Sequence, residues 1–356
     1  MKSPAPPAPI ALRTLRADDL DLELERPTAA PRGVIVLVPG LFATSQFFRV
    51  DADAGKCVAR VLREDLGLAV VHFDPRGLGR NHARRHAPID FATRVHDLRA
   101  VVASAAATFP GIPLLLLGHS FGGTTIYALL ASGAGNVHAA ITVGSPARLV
   151  PRTPPWEKLF APSTTALVET LAKEDWLDHA AFTYVQNKIF SGHGHWPWLS
   201  LNTIRRGLAW SARSRVLAWS NMHAPKTASI VHRAGWKREA RDYSARELRA
   251  ILRAGTLHRE SATLLTQLLG WGRSGGAIAL PQGPSLAATS AHVATPTLVA
   301  FSQDDEMVRP DEACAWDGAA AVSIDVGACG HGGYFYKKAP RTLLLANLES
   351  FVRDHV

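Results

Sequence analysis

Residues 113–123 read Pro-Leu-Leu-Leu-Leu-Gly-His-Ser-Phe-Gly-Gly, and the rest of the chain is organised around this stretch. The four consecutive leucines predict a short strand that is buried on both faces, and the residues after the last glycine predict a helix. Between strand and helix lies a G-x-S-x-G motif, Gly118-His119-Ser120-Phe121-Gly122. A serine on so sharp a turn has a strained backbone, and the flanking glycines leave room for the crossing chain. The motif therefore predicts Ser120 as a nucleophile.

This motif resembles the nucleophile elbow of the α/β-hydrolase superfamily, and the resemblance covers about residues 30–148 and 290–356. It implies an α/β fold class, with a mostly parallel, doubly wound sheet, and a serine hydrolase that acts on ester bonds. Parts of the remaining segment, and residues 41–49, also resemble polyhydroxyalkanoate synthase-like and acid-lipase-like relatives. The synthases use a cysteine nucleophile, so Ser120 argues against synthase activity.

The composition is that of an ordinary globular protein, with 356 residues, of which 47% are hydrophobic and 19% charged. No run approaches the roughly 18 apolar residues of a membrane span. The Pro- and Ala-rich residues 1–9, which we expect to be disordered, lack the apolar core of a secretory signal. Three widely separated cysteines (Cys57, Cys314, Cys329) indicate neither a disulfide framework nor a metal site. We therefore expect a reduced, cytoplasmic protein without a cofactor, and the sequence does not predict its oligomeric state.

Apolar runs alternate with amphipathic helical segments up to about residue 148 and again after residue 286. The predicted strands are 10–15, 20–24, 33–38, 68–73, 114–117, 139–143, 297–301 and 321–326. The predicted helices of this part are 53–66, 91–107, the helix after the G-x-S-x-G motif, and 341–352. Buried strands that alternate with helices predict a parallel sheet covered on both faces, built from residues 10–148 and 286–356.

Residues 149–285 form a different unit, which we predict to be a helical cap inserted between two strands. Its predicted helices are 163–177, 204–218, 244–254 and 259–271. This segment carries 18 Lys and Arg against 9 Asp and Glu, so it accounts for the net charge of +9 of the whole chain, and it holds eight of the nine tryptophans. A cap at the carboxyl ends of parallel strands would cover the crevice where such sheets bind ligands.

Two interpretations fit the basic, Trp-rich composition of this segment. In the favoured one, Arg side chains solvate exposed helix faces while Trp side chains, including Trp196 and Trp198, line an apolar acyl pocket. In the other, the positive charge receives an anionic acyl carrier such as coenzyme A, or an anionic membrane surface. No nucleic-acid reader motif accompanies the charge, so we expect no nucleic-acid partner.

The resemblance also implies the partners of Ser120, in the chain order Ser, acid, His. Residues 302–310, Ser-Gln-Asp-Asp-Glu-Met-Val-Arg-Pro, resemble the acid loop of the family, and alignment on Val308 selects Asp305, with Asp304 as the alternative. The family usually has Gly where Ser302 stands. The base is His331, which follows the last predicted strand in a Gly-rich loop. The pair His193 and His195 has no matching third ligand, so no metal site is predicted.

Two backbone N–H groups should form the oxyanion hole, those of Phe121 and Leu41. Leu41 follows Pro39, which cannot donate, and Gly40, which permits the turn. We expect Phe42 and His119 to contribute to the substrate site with Trp196 and Trp198, and His119 also to fix the local backbone. Residues 74–79, Asp-Pro-Arg-Gly-Leu-Gly, resemble a structural loop of the family in which Arg76 forms a salt bridge.

The sequence thus predicts a serine hydrolase that cleaves a carboxylic ester or thioester of a small or lipid-like acyl substrate through an acyl-enzyme. An acyltransferase or an acyl-carrier thioesterase on the same triad is the nearest alternative, because only the acyl acceptor or the leaving group differs. A non-catalytic ligand-binding protein on the same fold is the alternative of another class. An intact triad argues against it.

Overall fold

A computed structural model describes residues 12–50, 57–84, 88–150, 160–172, 175–177, 258–305 and 307–356. Several sequence predictions lie outside the described residues: the disordered N-terminus 1–9, the helices 204–218 and 244–254, the His193 and His195 pair, and the side chains Trp196 and Trp198.

The described core is built on one eight-stranded sheet. Its strands are β1 (Leu12–Ala17), β2 (Leu20–Glu25), β3 (Gly33–Val38), β4 (Leu68–His72), β5 (Leu114–His119), β6 (Ala139–Val143), β9 (Thr297–Phe301) and β10 (Ala321–Asp325). Their order across the sheet is β1-β2-β4-β3-β5-β6-β9-β10. β2 is antiparallel to both β1 and β4, and the other six strands, from β4 across the sheet to β10, run parallel to one another. Strands β7 (Trp176–Leu177) and β8 (Glu260–Ser261) are not part of this sheet. The predicted mostly parallel α/β fold is confirmed.

Both faces of the sheet are covered, because alternate side chains of each central strand enter different hydrophobic cores. Val34 and Val36 of β3 face one core, which also contains side chains of the helices α2 (Phe91–Thr108) and α3 (Phe121–Ala131). Ile35 and Leu37 face the other, together with side chains of α1 (Val58–Glu64) and the terminal helix α9 (Lys338–His355). All six residues of β3 are buried, which explains its unbroken run of apolar residues.

The remaining helices of the described residues are short or belong to residues 149–285. They are α4 (Pro162–Leu171), α5 (Ala262–Arg273), α6 (Leu286–Thr289), α7 (Pro310–Ala313) and α8 (Gly333–Tyr336), with single 3₁₀ turns at Ser45–Arg49, Gly79–Asn81 and Ser290–His292. No helix in the described ranges is long and apolar enough to cross a membrane.

Residues 149–285, called the insert below, enter the chain between β6 and β9. Their described part shows two departures from the predicted helices. The helix predicted over 163–177 ends at Leu171, and Trp176–Leu177 forms a two-residue strand, β7, instead. The helix predicted from residue 259 begins at Ala262, because Glu260–Ser261 forms strand β8 and the Ser261 hydroxyl caps the helix by accepting from the N–H of Leu264.

β7 and β8 pair antiparallel, with Trp176 opposite Ser261 and Leu177 opposite Glu260. Two parts of the insert that are distant in sequence, the residues after α4 and the residues before α5, are therefore adjacent. Their side chains meet in a small hydrophobic cluster with Phe42, formed by Phe160, Val168, Leu177, Leu265 and Leu269.

Candidate active site

Ser120 lies on the turn between β5 and α3, in a backbone conformation that is rare for a residue with a side chain, with φ at 54° and ψ at −129°. The N–H of Ser120 donates to the carbonyl of Val143 at 2.9 Å, which ties the turn to β6. A Cβ at Gly122 would lie 2.1 Å from the carbonyl oxygen of Val38, so only glycine fits there. The sharp strand-to-helix turn predicted from the G-x-S-x-G motif is present.

Ser120, His331 and Asp305 form one continuous chain of hydrogen bonds. His331 Nε2 lies 2.7 Å from Ser120 Oγ, and His331 Nδ1 lies 2.9 Å from Asp305 Oδ2. A carboxylate only accepts, so Nδ1 carries the imidazole proton and Nε2 accepts from the serine hydroxyl. The three groups stand in the order that proton removal from a serine needs.

Asp305 is buried and its two carboxylate oxygens are both engaged. Oδ1 accepts from the N–H groups of Met307 and Val308 at 2.9 and 3.0 Å, and Oδ2 accepts from the hydroxyl of Tyr334 at 2.9 Å in addition to His331. Burial alone would raise the pKa of Asp305, but the charge and hydrogen bond of His331 and the other donors outweigh it, and the pKa is lowered. Asp305 is therefore ionised at neutral pH.

Asp304, the alternative acid, is exposed. Its described contact is made by its backbone N–H, which donates to Ser302 Oγ at 3.2 Å. The carboxylate next to His331 is that of Asp305.

Ser302, where the family usually has glycine, joins the loop of Asp305 to the loop of His331. Its buried hydroxyl donates to the carbonyl of Cys329 at 2.8 Å and accepts from the N–H of the same residue at 3.1 Å. The departure from the family pattern is thus a contact that fixes the spacing of two site loops.

His119 lies beneath the site and not on its surface. Its ring is 5% exposed and stacks on Phe47 with 4.8 Å between ring centroids. Nε2 lies 2.9 Å from the carbonyl oxygen of His331, so this nitrogen carries a proton and donates it. Burial, and then the neighbouring charge of His331, lower the pKa of His119 to about 3, which keeps the ring neutral. His119 therefore holds the backbone of His331, a distant contact in place of the predicted local one, and its contact with substrate stays a prediction.

The turn after β3 approaches Ser120 closely. A Cβ at Gly40 would lie 3.0 Å from Cβ and 3.5 Å from Oγ of Ser120. Within the described part of the chain, the N–H groups of Leu41 and Phe121 have no hydrogen-bond partner. Both residues line a small cavity of about 10 Å³ beside this turn. The two predicted oxyanion donors thus lie on segments that meet at Ser120.

Phe42, which follows Leu41, has a positive φ of 60° and a side chain that is only 3% exposed. It packs in the hydrophobic cluster between the described ends of the insert. Its predicted contact with substrate stays a prediction. Arg76 forms the predicted salt bridge and has two partners, Asp19 at 2.7 Å and Asp97 at 2.9 Å.

Sequence reasoning missed three side chains around the site: Tyr334, Glu260 and Arg94. Tyr334 donates to Asp305, and Glu260 accepts from both Arg94 and the N–H of Phe42. These contacts join residues far apart in the chain, and no local pattern in the sequence predicts them. Among the described residues, no three His, Cys, Asp or Glu side chains are grouped so that they could hold a metal ion.

Comparison with known proteins gives a family match and several structural neighbours. The family model described as "Serine aminopeptidase, S33" matches residues 29–190, just under half of the chain. A monoacylglycerol lipase of Mycolicibacterium smegmatis is 33% identical over 119 residues, which are 33% of this chain and 39% of the lipase. The chain therefore matches well under two thirds of that relative's length.

Two solved structures share the fold over nearly the whole chain. A proline iminopeptidase of Mycobacterium smegmatis has a TM-score of 0.55 at 15% identity and covers 97% of this chain and 98% of its own. A monoacylglycerol lipase of Paleococcus ferrophilus has a TM-score of 0.54 at 15% identity and covers 95% of this chain and 100% of its own. At such identities the likeness concerns the fold alone. Together with the sheet order and the serine turn, it shows that the chain has the α/β-hydrolase fold.

Proposed function

We propose that this protein is a serine hydrolase that cleaves a carboxylic ester of a lipid-like acyl group through an acyl-enzyme. The observation that supports the proposal most is the hydrogen-bond chain from Ser120 Oγ through His331 to the buried carboxylate of Asp305. A serine hydroxyl is a poor nucleophile at neutral pH unless a base lies within hydrogen-bond reach and a third group orients that base. Both conditions are met.

In the proposed reaction, Ser120 Oγ attacks the ester carbonyl while His331 Nε2 takes the hydroxyl proton. The carbonyl oxygen becomes an oxyanion, which the N–H groups of Leu41 and Phe121 stabilise. His331 then returns the proton to the departing alcohol, and the acyl-enzyme remains. A water molecule then gives a proton to His331 Nε2 and attacks the acyl-enzyme. As the bond from the acyl carbon to Ser120 Oγ breaks, His331 returns this proton to Oγ, and the acid leaves.

Asp305 has an electrostatic and orienting part in this scheme. Because its pKa is lowered, it stays a carboxylate and stabilises the imidazolium that forms when His331 takes the proton. The hydroxyl of Tyr334 and two backbone N–H groups fix the carboxylate in one orientation. His331 thereby keeps its Nδ1 proton throughout the cycle, and only Nε2 gains and loses one.

The proposed substrate class is supported by the monoacylglycerol lipase relative and by the Trp-rich composition of the insert. We propose that residues 149–285 act as a cap over the site and that Trp196 and Trp198 contact the acyl chain. A thioester, or an acyl acceptor other than water, would use the same groups, and nothing in the described site favours either over ester hydrolysis.

The proposal is tested with p-nitrophenyl esters from C2 to C16 and with fluorophosphonate labelling. Wild type should hydrolyse the esters and be labelled, and Ser120→Ala should lose both. The chain-length optimum then measures the size of the acyl pocket. An aminoacyl p-nitroanilide is assayed alongside, because the matched family model is described as a serine aminopeptidase; turnover of the anilide alone would replace the ester proposal.

A matched pair of neighbouring carboxylates tests the acid. Asp305→Asn should lower kcat by about 10³- to 10⁴-fold, because loss of the orienting carboxylate leaves His331 in the wrong tautomer. Asp304→Asn, one residue away and exposed, should keep wild-type kcat. Equal effects of the two substitutions, or labelling of Ser120→Ala, would contradict the proposal.

A further inference from the structure

Phe42 holds an unusual backbone conformation next to the proposed oxyanion donor Leu41. Its φ of 60° is in the left-handed region, which disfavours a residue with a bulky side chain. The N–H of Phe42 donates to Glu260 Oε2 at 3.1 Å, and its carbonyl accepts from the N–H of His258 at 2.7 Å. Both partners belong to the segment of the insert that directly precedes α5. That segment therefore fixes the peptide units on both sides of Phe42.

The orientation of Glu260 is fixed because both of its carboxylate oxygens accept hydrogen bonds. The carboxylate is 1% exposed, and Oε1 accepts from Arg94 of α2 and from the N–H of Ser261 at 2.9 Å. The side chain of Arg94 is itself only 5% exposed. A buried carboxylate that is paired and hydrogen-bonded through both oxygens has a single orientation. This ion pair also lines the small cavity that Gly40, Leu41 and Phe121 line.

The side chain of Phe42 provides a second link to the insert. It belongs to one hydrophobic cluster with Phe160 and Val168, which precede β7, and with Leu265 and Leu269, which follow β8. The antiparallel pairing of β7 with β8 joins these two parts of the insert. Backbone and side chain of the same residue thus both depend on how the ends of the insert are seated.

We propose that Glu260, held by Arg94, is a positioning residue for the oxyanion hole. By fixing Phe42 it aims the preceding N–H, that of Leu41, at the carbonyl oxygen of an ester bound to Ser120. This inference rests on the proposed hydrolase function. It adds that contacts from the insert position an oxyanion donor, so the insert affects kcat as well as substrate binding.

Two substitutions separate positioning from simple stabilisation. Glu260→Asp keeps a carboxylate for Arg94, whose long side chain can follow, but withdraws the acceptor from the N–H of Phe42. Arg94→Lys keeps that acceptor and weakens the ion pair. Arg63→Lys is the matched control, because Arg63 of α1 forms a buried ion pair with Glu25 of β2. For each protein, kcat, KM, the urea midpoint and the affinity for a trifluoromethyl ketone are measured, since this inhibitor places an oxyanion in the hole.

Glu260→Asp should stay close to wild type in its urea midpoint yet lose about 10- to 100-fold in kcat, with KM within about twofold. Its affinity for the trifluoromethyl ketone should fall by a similar factor. Arg94→Lys should lose more stability and less kcat, and Arg63→Lys should lose stability without loss of kcat. The order of the variants by kcat would then differ from their order by stability.

A folded Glu260→Asp with wild-type kcat and inhibitor affinity overturns the inference and leaves the hydrolase proposal intact. If that variant does not fold, the double variant Glu260→Ala with Arg94→Leu takes its place, because it removes the same acceptor without leaving a buried charge unpaired; it should show the same losses of kcat and inhibitor affinity. If neither folds, Glu260 is a structural residue and the inference is wrong. Absence of turnover and labelling in wild type would instead overturn the proposed function, and this inference with it.

Discussion

His119 should make the folded protein sensitive to acid. Its imidazole is buried, and that burial, followed by the charge of His331, lowers its pKa from 6.5 to about 3. In the unfolded chain the same group has the ordinary pKa of about 6.5. Between these two values the unfolded state binds more protons than the folded state. The neutral, buried His119 therefore does not lower the free energy of unfolding above pH 6.5, and the free energy of unfolding falls as the pH falls from 6.5 toward 3.

The magnitude follows from proton linkage. A difference of one bound proton changes the free energy of unfolding by about 1.4 kcal/mol per pH unit. With a folded pKa of about 3 and an unfolded pKa of 6.5, His119 alone should remove about 2 kcal/mol between pH 7 and pH 5. This is a large part of the roughly 5–15 kcal/mol that stabilises a typical protein.

His119→Gln removes the titration and keeps a side-chain N–H that can donate to the carbonyl of His331. Urea unfolding at pH 7 and pH 5 should show a smaller loss of stability in this variant than in wild type, by about 2 kcal/mol. His96→Gln, on the exposed face of α2, is the control and should follow wild type. The pKa of buried His72 is also lowered, but His72 is present in all three proteins and cancels in the comparison. A loss in His119→Gln equal to that of wild type would refute the reasoning.

Two further predictions concern the geometry of the site. Tyr334→Phe removes a hydrogen-bond donor to Asp305, so the pKa of Asp305 should rise. We expect kcat to fall by about tenfold and the loss of activity on acidification to begin at higher pH. A pH–rate profile identical to that of wild type would contradict this. Gly122→Ala forces a Cβ against the carbonyl of Val38 and should lower the free energy of unfolding by about 3 kcal/mol or prevent folding. Gly135→Ala, where a Cβ would meet open space, is its control in the same urea experiment and should stay within about 0.5 kcal/mol of wild type.

The sheet could be predicted because its strands are locally unambiguous. β3, β6 and β9 are short apolar runs with clear ends, and their observed bounds equal the predicted ones. The strand-to-helix turn at Ser120 could be predicted because its glycine requirement is visible within five residues. The residues Asp305 and His331 could be singled out because each follows a recognisable strand in a fixed chain order.

The parts that could not be predicted depend on contacts between distant residues. Trp176–Leu177 is too short for any periodicity, and it becomes a strand only because Glu260–Ser261 lies beside it. The pairing of Arg94 with Glu260 spans 166 positions, and each residue alone resembles an ordinary surface charge. Ser302 looked like a departure from the family pattern until its contacts with Cys329 were known.

The pairing of β7 with β8 has a consequence for how this protein can change. Leu177 lies opposite Glu260, so residues 178–259 leave and re-enter the described structure at adjacent positions. A segment of another length could therefore replace them without moving a strand of the main sheet. Homologous or designed segments could therefore be exchanged at this junction. Such a chimaera has one requirement at its junction. The graft must end before the carboxylate that holds Phe42, or the exchanged module will arrive with a displaced backbone turn beside Ser120.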